Sequence, residues 1–177
     1  MSIDSSFAVD AHKILKDLTV GLRVLVWGPG ETNEKWFEKR AEVIKALKEA
    51  SGSLDQVSEI IDRCGEKITI LSGDDSLTLP VLSVGGKGVI SVIANIVPRD
   101  VAMMVENYSA GKIKLATKLH NELFSLAKAM FIETNPIPIK TAMNLLWMAA
   151  GELRLPLCEP TAANMAVIKK ALADYGL

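Results

Sequence analysis

Lys45-Ala46-Leu47-Lys48-Glu49-Ala50-Ser51-Gly52 is the stretch on which the reading of this chain turns. Downstream of it, short β-branched runs alternate with helical patterns and then give way to a long helical tail. Upstream of it, one apolar run stands between two helical segments. The lead-in Glu42-Val43-Ile44-Lys45-Ala46-Leu47 continues the helical spacing of Trp36 and Phe37, so the local pattern predicts a helix that ends near Lys48. A lysine on a helix end is solvated. A lysine amine that does covalent chemistry must instead be neutral when it attacks, and desolvation favours that form.

Composition narrows the class of protein. With 177 residues, 49% of them hydrophobic, the chain has material for one well-buried core and one domain. A formal net charge of −1 and a pI near 6.1 give no basic stripe for nucleic acid. Aromatic residues make up 5%, too few for a base-stacking platform, so aliphatic side chains must build the core. Cys64 and Cys158 lie far apart and form no metal-type pair, which reads as two free thiols in a reducing compartment. The first residues carry no basic patch followed by an apolar run, and no window approaches the roughly 18 uncharged apolar residues of a membrane span. The expectation is a soluble, cytoplasmic protein without nucleic-acid or membrane partners.

Outward from the opening stretch, residues 7–18 carry a helical apolar stripe that includes Phe7, Ile14 and Leu18. Residues 22–27 form an apolar run between glycines, the pattern of a buried parallel strand. The loop Gly28-Pro29-Gly30-Glu31-Thr32-Asn33 then has the position of a phosphate-binding turn but lacks both the dinucleotide spacing and the P-loop lysine, so it reads as a strand-to-helix turn. On the other side, Ser53 caps a helix ending at Gly65, with Leu54, Val57, Ile60 and Ile61 on one face. Strands are expected over residues 67–71 and 88–94, with a short helix opened by Asp74 and Asp75 between them, and the strands should pair in parallel. Helices follow over 98–108, 112–131, 139–150 and 161–175. The fold class is α/β: a partly parallel sheet of few strands, built from incomplete barrel or flavodoxin-like βα repeats over residues 1–111, and an all-helical extension over 112–177.

Five segments carry a resemblance. They are Lys48-Glu49-Ala50-Ser51-Gly52; Leu71-Ser72-Gly73-Asp74-Asp75; Gly85-Gly86-Lys87-Gly88-Val89-Ile90-Ser91-Val92 with Asn95; Asn135-Pro136-Ile137-Pro138-Ile139-Lys140; and Leu153-Arg154-Leu155-Pro156-Leu157. In this order they closely resemble the C-terminal part of the dihydrodipicolinate synthases, within the pyruvate-dependent Schiff-base aldolase family that includes N-acetylneuraminate lyase. The resemblance covers about three-quarters of the chain, from Lys48 onward. It implies a TIM-barrel enzyme with a helical extension, in which the lysine matching Lys48 sits on the sixth barrel strand and forms an imine with pyruvate. Backbone groups at positions matching Gly73 and Ile90 border the pyruvate. No cofactor is expected, and no metal, since no ligands cluster in sequence around either histidine.

The departures matter as much. A TIM barrel takes eight strands and about 250 residues, whereas this sequence offers three clear strand patterns. The family's Gly-Thr-Thr-Gly-Glu type segment, its proton-relaying tyrosine and its entrance arginine have no recognisable counterpart, and residues 1–47 look unrelated. Two readings follow. One is an active pyruvate-dependent lyase using Lys48. The other is a folded scaffold, a fragment or engineered chimera of that enzyme with a flavodoxin-like leading unit and no full activity. Either would leave strand edges and apolar faces open, so a homo-oligomer is expected. Trp147 could fill space left by a missing half. His12 and His120 lie on different helices without converging ligands, Asp74 and Asp75 read as helix-start carboxylates, and the methionines from Met103 to Met165 read as core or interface.

Overall fold

The computed structural model describes residues 45–177. The helix at 7–18, the strand at 22–27, the Gly28–Asn33 turn, His12 and nearly all of the helix leading to Lys48 lie outside the described residues.

Residues 45–48 do not continue a helix. Ala46–Glu49 form a strand, β1, followed by helix α1 (Leu54–Cys64) and strand β2 (Thr69–Ser72). The two strands pair in parallel, with Ala46 opposite Thr69 and Lys48 opposite Leu71. The Thr69 amide donates to the Lys45 carbonyl at 3.0 Å, which starts the ladder one residue early. Burial alternates along β1: Leu47 and Glu49 are inside, while Ala46 and Lys48 face out. That two-residue period, and a partner strand more than twenty positions away, override the helix preference of Ala, Leu, Lys and Glu.

Helix α1 begins where expected. The Ser53 hydroxyl accepts the Gln56 amide, which satisfies one of the unpaired amides of the first turn. Its inner face, Val57, Ile60 and Cys64, packs with Leu47 and Ile70 of the sheet, with Ile68 just ahead of β2 and with Val81 of helix α2 (Thr78–Ser83). One face of the sheet is thus covered by helices, and Ala46, Lys48 and Thr69 stand exposed on the other.

Strand β3 (Gly88–Val89) completes a parallel sheet in the order β1-β2-β3. It is far shorter than the 88–94 strand expected, because the chain turns at Ser91 into a 3-10 turn at Ile93–Asn95. Four helices follow: α3 (Pro98–Ser109), α4 (Ile113–Ala129), α5 (Ile137–Leu145) and α6 (Ala162–Tyr175). They share a second apolar cluster centred on Met104, Leu126, Met130, Ala142 and Ile168, all 2% exposed or less. No strand follows β3 among the described residues, so the helical tail is as expected.

Helix α5 stops well before residue 150. The Met148 amide returns to the Met143 carbonyl at 2.9 Å and Trp147 adopts a φ of 59°, a left-handed closure that glycine usually provides. Trp147 fills no space: its side chain is 96% exposed. Of the methionines, Met104 and Met130 are core, while Met103 and Met148 remain exposed.

Candidate active site at the ends of the parallel strands

The sequence singles out Lys48, Gly73 and Ile90, and the sheet brings all three to its carboxyl edge. Two hydrogen bonds extend the ladders beyond the strands. The Gly73 amide donates to the Glu49 carbonyl at 2.6 Å, and the Ile90 amide donates to the Ser72 carbonyl at 2.8 Å. Consecutive strand ends are therefore tied in the order Glu49, Gly73, then Ser72, Ile90.

Gly73 touches the lysine directly. A Cβ at residue 73 would lie 2.6 Å from the Ala50 Cβ, 2.9 Å from the Glu49 carbonyl oxygen and 3.1 Å from the Lys48 Cε. Only a glycine lets the β2 exit pass this close, and the lysine stem runs along the space its missing side chain leaves. Lys48 itself is exposed, on the sheet face opposite α1 and α2. Ile90, just past β3 and bonded to the β2 exit, is 46% exposed, an apolar side chain left open at the carboxyl end of the sheet.

Buried carboxylates support this edge from behind, and sequence reasoning did not find their roles. Glu49, 4% exposed, points away from Lys48; its Oε1 accepts the Ser51 amide at 2.9 Å and the Gln56 side-chain amide at 3.1 Å. It thereby joins the β1 exit to α1. Asp74 acts as expected of a helix-start carboxylate, its Oδ1 accepting the Ser76 amide and hydroxyl, both at 2.9 Å. Asp75 does not. It is 6% exposed, and its Oδ2 accepts the Val92 amide at 2.8 Å and the Ile93 amide at 3.3 Å, across to the β3 exit. The signal available was the paired aspartate directly after a strand; what it could not give was the second partner, seventeen residues on.

The other matching segments hold the scaffold. In the Asn135–Lys140 run, Ile137, Pro138 and Ile139 are buried at the start of α5, and the Lys140 ammonium donates to the Glu152 carbonyl. Leu155, in the last segment, is 91% exposed. Cys64 is buried and Cys158 exposed, both free, and burial pushes the Cys64 thiol up. His120 is half-buried on α4 and desolvation holds its imidazole below the ordinary range. Among the described residues no three His, Cys, Asp or Glu side chains converge as a metal site, and no helix is long and apolar enough to cross a membrane.

Residues 36–174 match the Dihydrodipicolinate synthetase family. The chain is similar to a 4-hydroxy-tetrahydrodipicolinate synthase of Methanococcus maripaludis, 54% identical over 147 residues that make up 83% of this chain and 50% of the relative. A Geobacter enzyme of the same name is 48% identical over 172 residues, 94% of this chain and 59% of its own length. The fold is similar to a crystal structure of a chloride-inhibited dihydrodipicolinate synthase from Acinetobacter baumannii complexed with pyruvate. There the TM-score is 0.75 at 30% identity, over 84% of this chain and 53% of that one. The chain spans about half the length of the curated relatives it matches. The family match begins at residue 36, ahead of Lys48, and the Geobacter alignment reaches further still, so similarity does not stop at the seam read from the sequence.

Proposed function

We propose a function from one premise, that the chain belongs to the dihydrodipicolinate synthetase family: Lys48 is the amine that takes up pyruvate as an imine. The chain is then the lysine-bearing part of a 4-hydroxy-tetrahydrodipicolinate synthase type of lyase, and β1, β2 and β3 are consecutive strands of its TIM barrel. The observation that carries the reading is the seat of Lys48 at the carboxyl end of a parallel strand, its stem against Gly73. In (β/α)8 enzymes that end of the strands holds the chemistry.

The steps balance without a cofactor. The neutral Nζ adds to C2 of pyruvate, the carbinolamine loses water, and the resulting imine withdraws electrons from C3. Loss of a C3 proton gives an enamine, the nucleophile that adds to an aldehyde; hydrolysis then returns the free lysine. Backbone groups of Gly73 and Ile90 border the bound acid. Homo-oligomer formation is part of the proposal, supported by exposed apolar side chains such as Ile113, Leu115, Phe124 and Phe131.

A second reading has its own support. Lys48 is exposed, which favours a folded scaffold that does not complete the condensation. Borohydride reduction in the presence of pyruvate, followed by intact mass and peptide mapping, separates the two. An adduct on Lys48 that is absent in Lys48→Ala supports the imine. A native chain that stays unmodified refutes it and leaves the scaffold.

A further inference from the structure

We propose that Asp75 is the clamp that fixes the β3 exit, and Ile90 with it, against the Gly73–Lys48 edge; the inference rests on the imine reading for its catalytic meaning. The first amides of a helical turn have no partner within the turn, and Val92 and Ile93 open the 3-10 turn Ile93–Asn95. Ile93 is 1% exposed, so its amide cannot turn to water. The Asp75 Oδ2 meets both amides, at 2.8 and 3.3 Å, from inside the fold. Hydrogen bonds to a carboxylate are about twice as strong as neutral ones.

The placement of the two bonds gives the clamp its purpose. Ile90 is held on one side by the Ser72 carbonyl, and two residues later the chain is held by Asp75. Ser72 and Asp75 both belong to the β2 exit, and that exit is tied to β1 through the Gly73 amide and the Glu49 carbonyl. Asp75 is also seated from below: the Ser72 hydroxyl donates to the Asp74 carbonyl at 2.7 Å and accepts the Asp74 amide at 3.2 Å, which closes the turn that carries Asp75. Without the carboxylate, the segment from Ile90 to Ile93 keeps a single tether to β2. The amine would then meet an edge whose Ile90 border can drift. Asp75 touches neither the amine nor the bound acid, so it is a positioning residue.

The test uses the full chain and two variants, Asp75→Ala and Asp75→Asn, the second retaining a carbonyl acceptor. Amide hydrogen exchange at Val92 and Ile93 reads the clamp directly. Both amides should exchange about tenfold faster or more in Asp75→Ala, with intermediate values in Asp75→Asn, while Val57 and Ile60 in α1 stay protected. Pyruvate-dependent borohydride trapping reads its consequence. Because small misplacements cost large factors in rate, the half-saturating pyruvate should rise about tenfold in Asp75→Ala, with adduct at saturation retained and most of the shift recovered in Asp75→Asn. A merely structural role would lower the melting temperature and the adduct plateau together, without that split, and would overturn the proposal. So would unchanged exchange at Val92 and Ile93 in either variant. If Asp75→Ala does not fold, Asp75→Asn alone decides through exchange. If the native chain forms no adduct, the imine reading fails while exchange still decides the clamp.

Discussion

Replacing Gly73 by alanine tests the close approach on which the site depends. The new Cβ would sit 2.6 Å from the Ala50 Cβ and 2.9 Å from the Glu49 carbonyl oxygen, where carbon atoms rest comfortably at about 3.5–4.0 Å. Ala50 Cβ and the Glu49 carbonyl belong to a strand end and cannot swing aside, so the β1 and β2 exits must part by about an ångström. That movement stretches the 2.6 Å bond from the Gly73 amide to Glu49. Overpacking costs about 1–3 kcal/mol and the weakened hydrogen bond about 1 kcal/mol. Alanine at a backbone angle it can adopt returns about 0.4–1 kcal/mol by restricting the unfolded chain. The net loss is about 1–3 kcal/mol, which for a chain of this length lowers the melting temperature by roughly 2–12 °C. Trapping by pyruvate and borohydride should fall as well, because the same Cβ presses on the Lys48 Cε at 3.1 Å. Gly111→Ala is the control: φ there is +73° and nothing lies within 4 Å, so it carries backbone strain without a clash and should leave trapping unchanged. If Gly73→Ala melts within a degree of the native chain and traps pyruvate equally well, the packing of Gly73 against the lysine is refuted.

Two further outcomes follow from buried polar groups. Glu49→Ala leaves the Ser51 amide and the Gln56 side chain without their acceptor and should cost about 1–3 kcal/mol in urea unfolding, whereas Glu49→Gln keeps an acceptor oxygen and should cost less. Tyr175 donates to the Asp100 carboxylate at 2.6 Å, and burial, that bond and the charges of Asp100 and Glu122 all push its phenol up. The folded chain therefore keeps the Tyr175 proton after the unfolded chain has lost it, so this contribution is complete below about pH 10 and declines as pH rises beyond it. Tyr175→Phe should melt lower at neutral pH and show a flatter loss of melting temperature above about pH 10, and an unchanged alkaline slope would remove Tyr175 from the account.

How much of this was legible in the chain differs from element to element. Helices α1 and α6 were readable because their signals are local: Ser53 and Thr161 each cap their own first turn, and Val57, Ile60, Ile168 and Leu172 are buried as the spacing implies, although Leu54, read on the same face of α1, is exposed. Strand β1 was not, because Ala46-Leu47-Lys48-Glu49 is helix-forming by composition and becomes a strand only through Thr69 and Leu71. The run Val89-Ile90-Ser91-Val92 has the opposite defect. Its β-branched residues suggest a long strand, and a carboxylate from Asp75 cuts it short. Helix α5 was overextended for a similar reason, since Leu146, Trp147 and Met148 are acceptable in a helix and the left-handed closure at Trp147 uses none of glycine's usual advertisement. For the proposed site, Lys48, Gly73 and Ile90 come from the resemblance, while the hydrogen bonds of Glu49 and Asp75 required the fold, because a buried acceptor is recognisable only from its donors.

The bonds that set the strand ends are short-range in the sheet. Lys48 is placed by β1 pairing with β2, by Gly73 against its stem and by Glu49 anchoring the exit to α1. Ile90 is placed by Ser72 and Asp75. Each tether joins neighbours within two successive βα units, and the helices covering the sheet come from the same units. The contacts that place Lys48 thus all come from neighbouring βα units among the described residues. Covering the face on which Lys48 stands exposed would give a drier surrounding that favours the neutral amine. Imine formation with a small 2-oxo acid asks chiefly for placement, and condensation asks for both. If the proposed imine chemistry holds, slow trapping of pyruvate without turnover separates placement from cover, and covering the face on which Lys48 stands exposed would raise the trapping rate without moving Lys48.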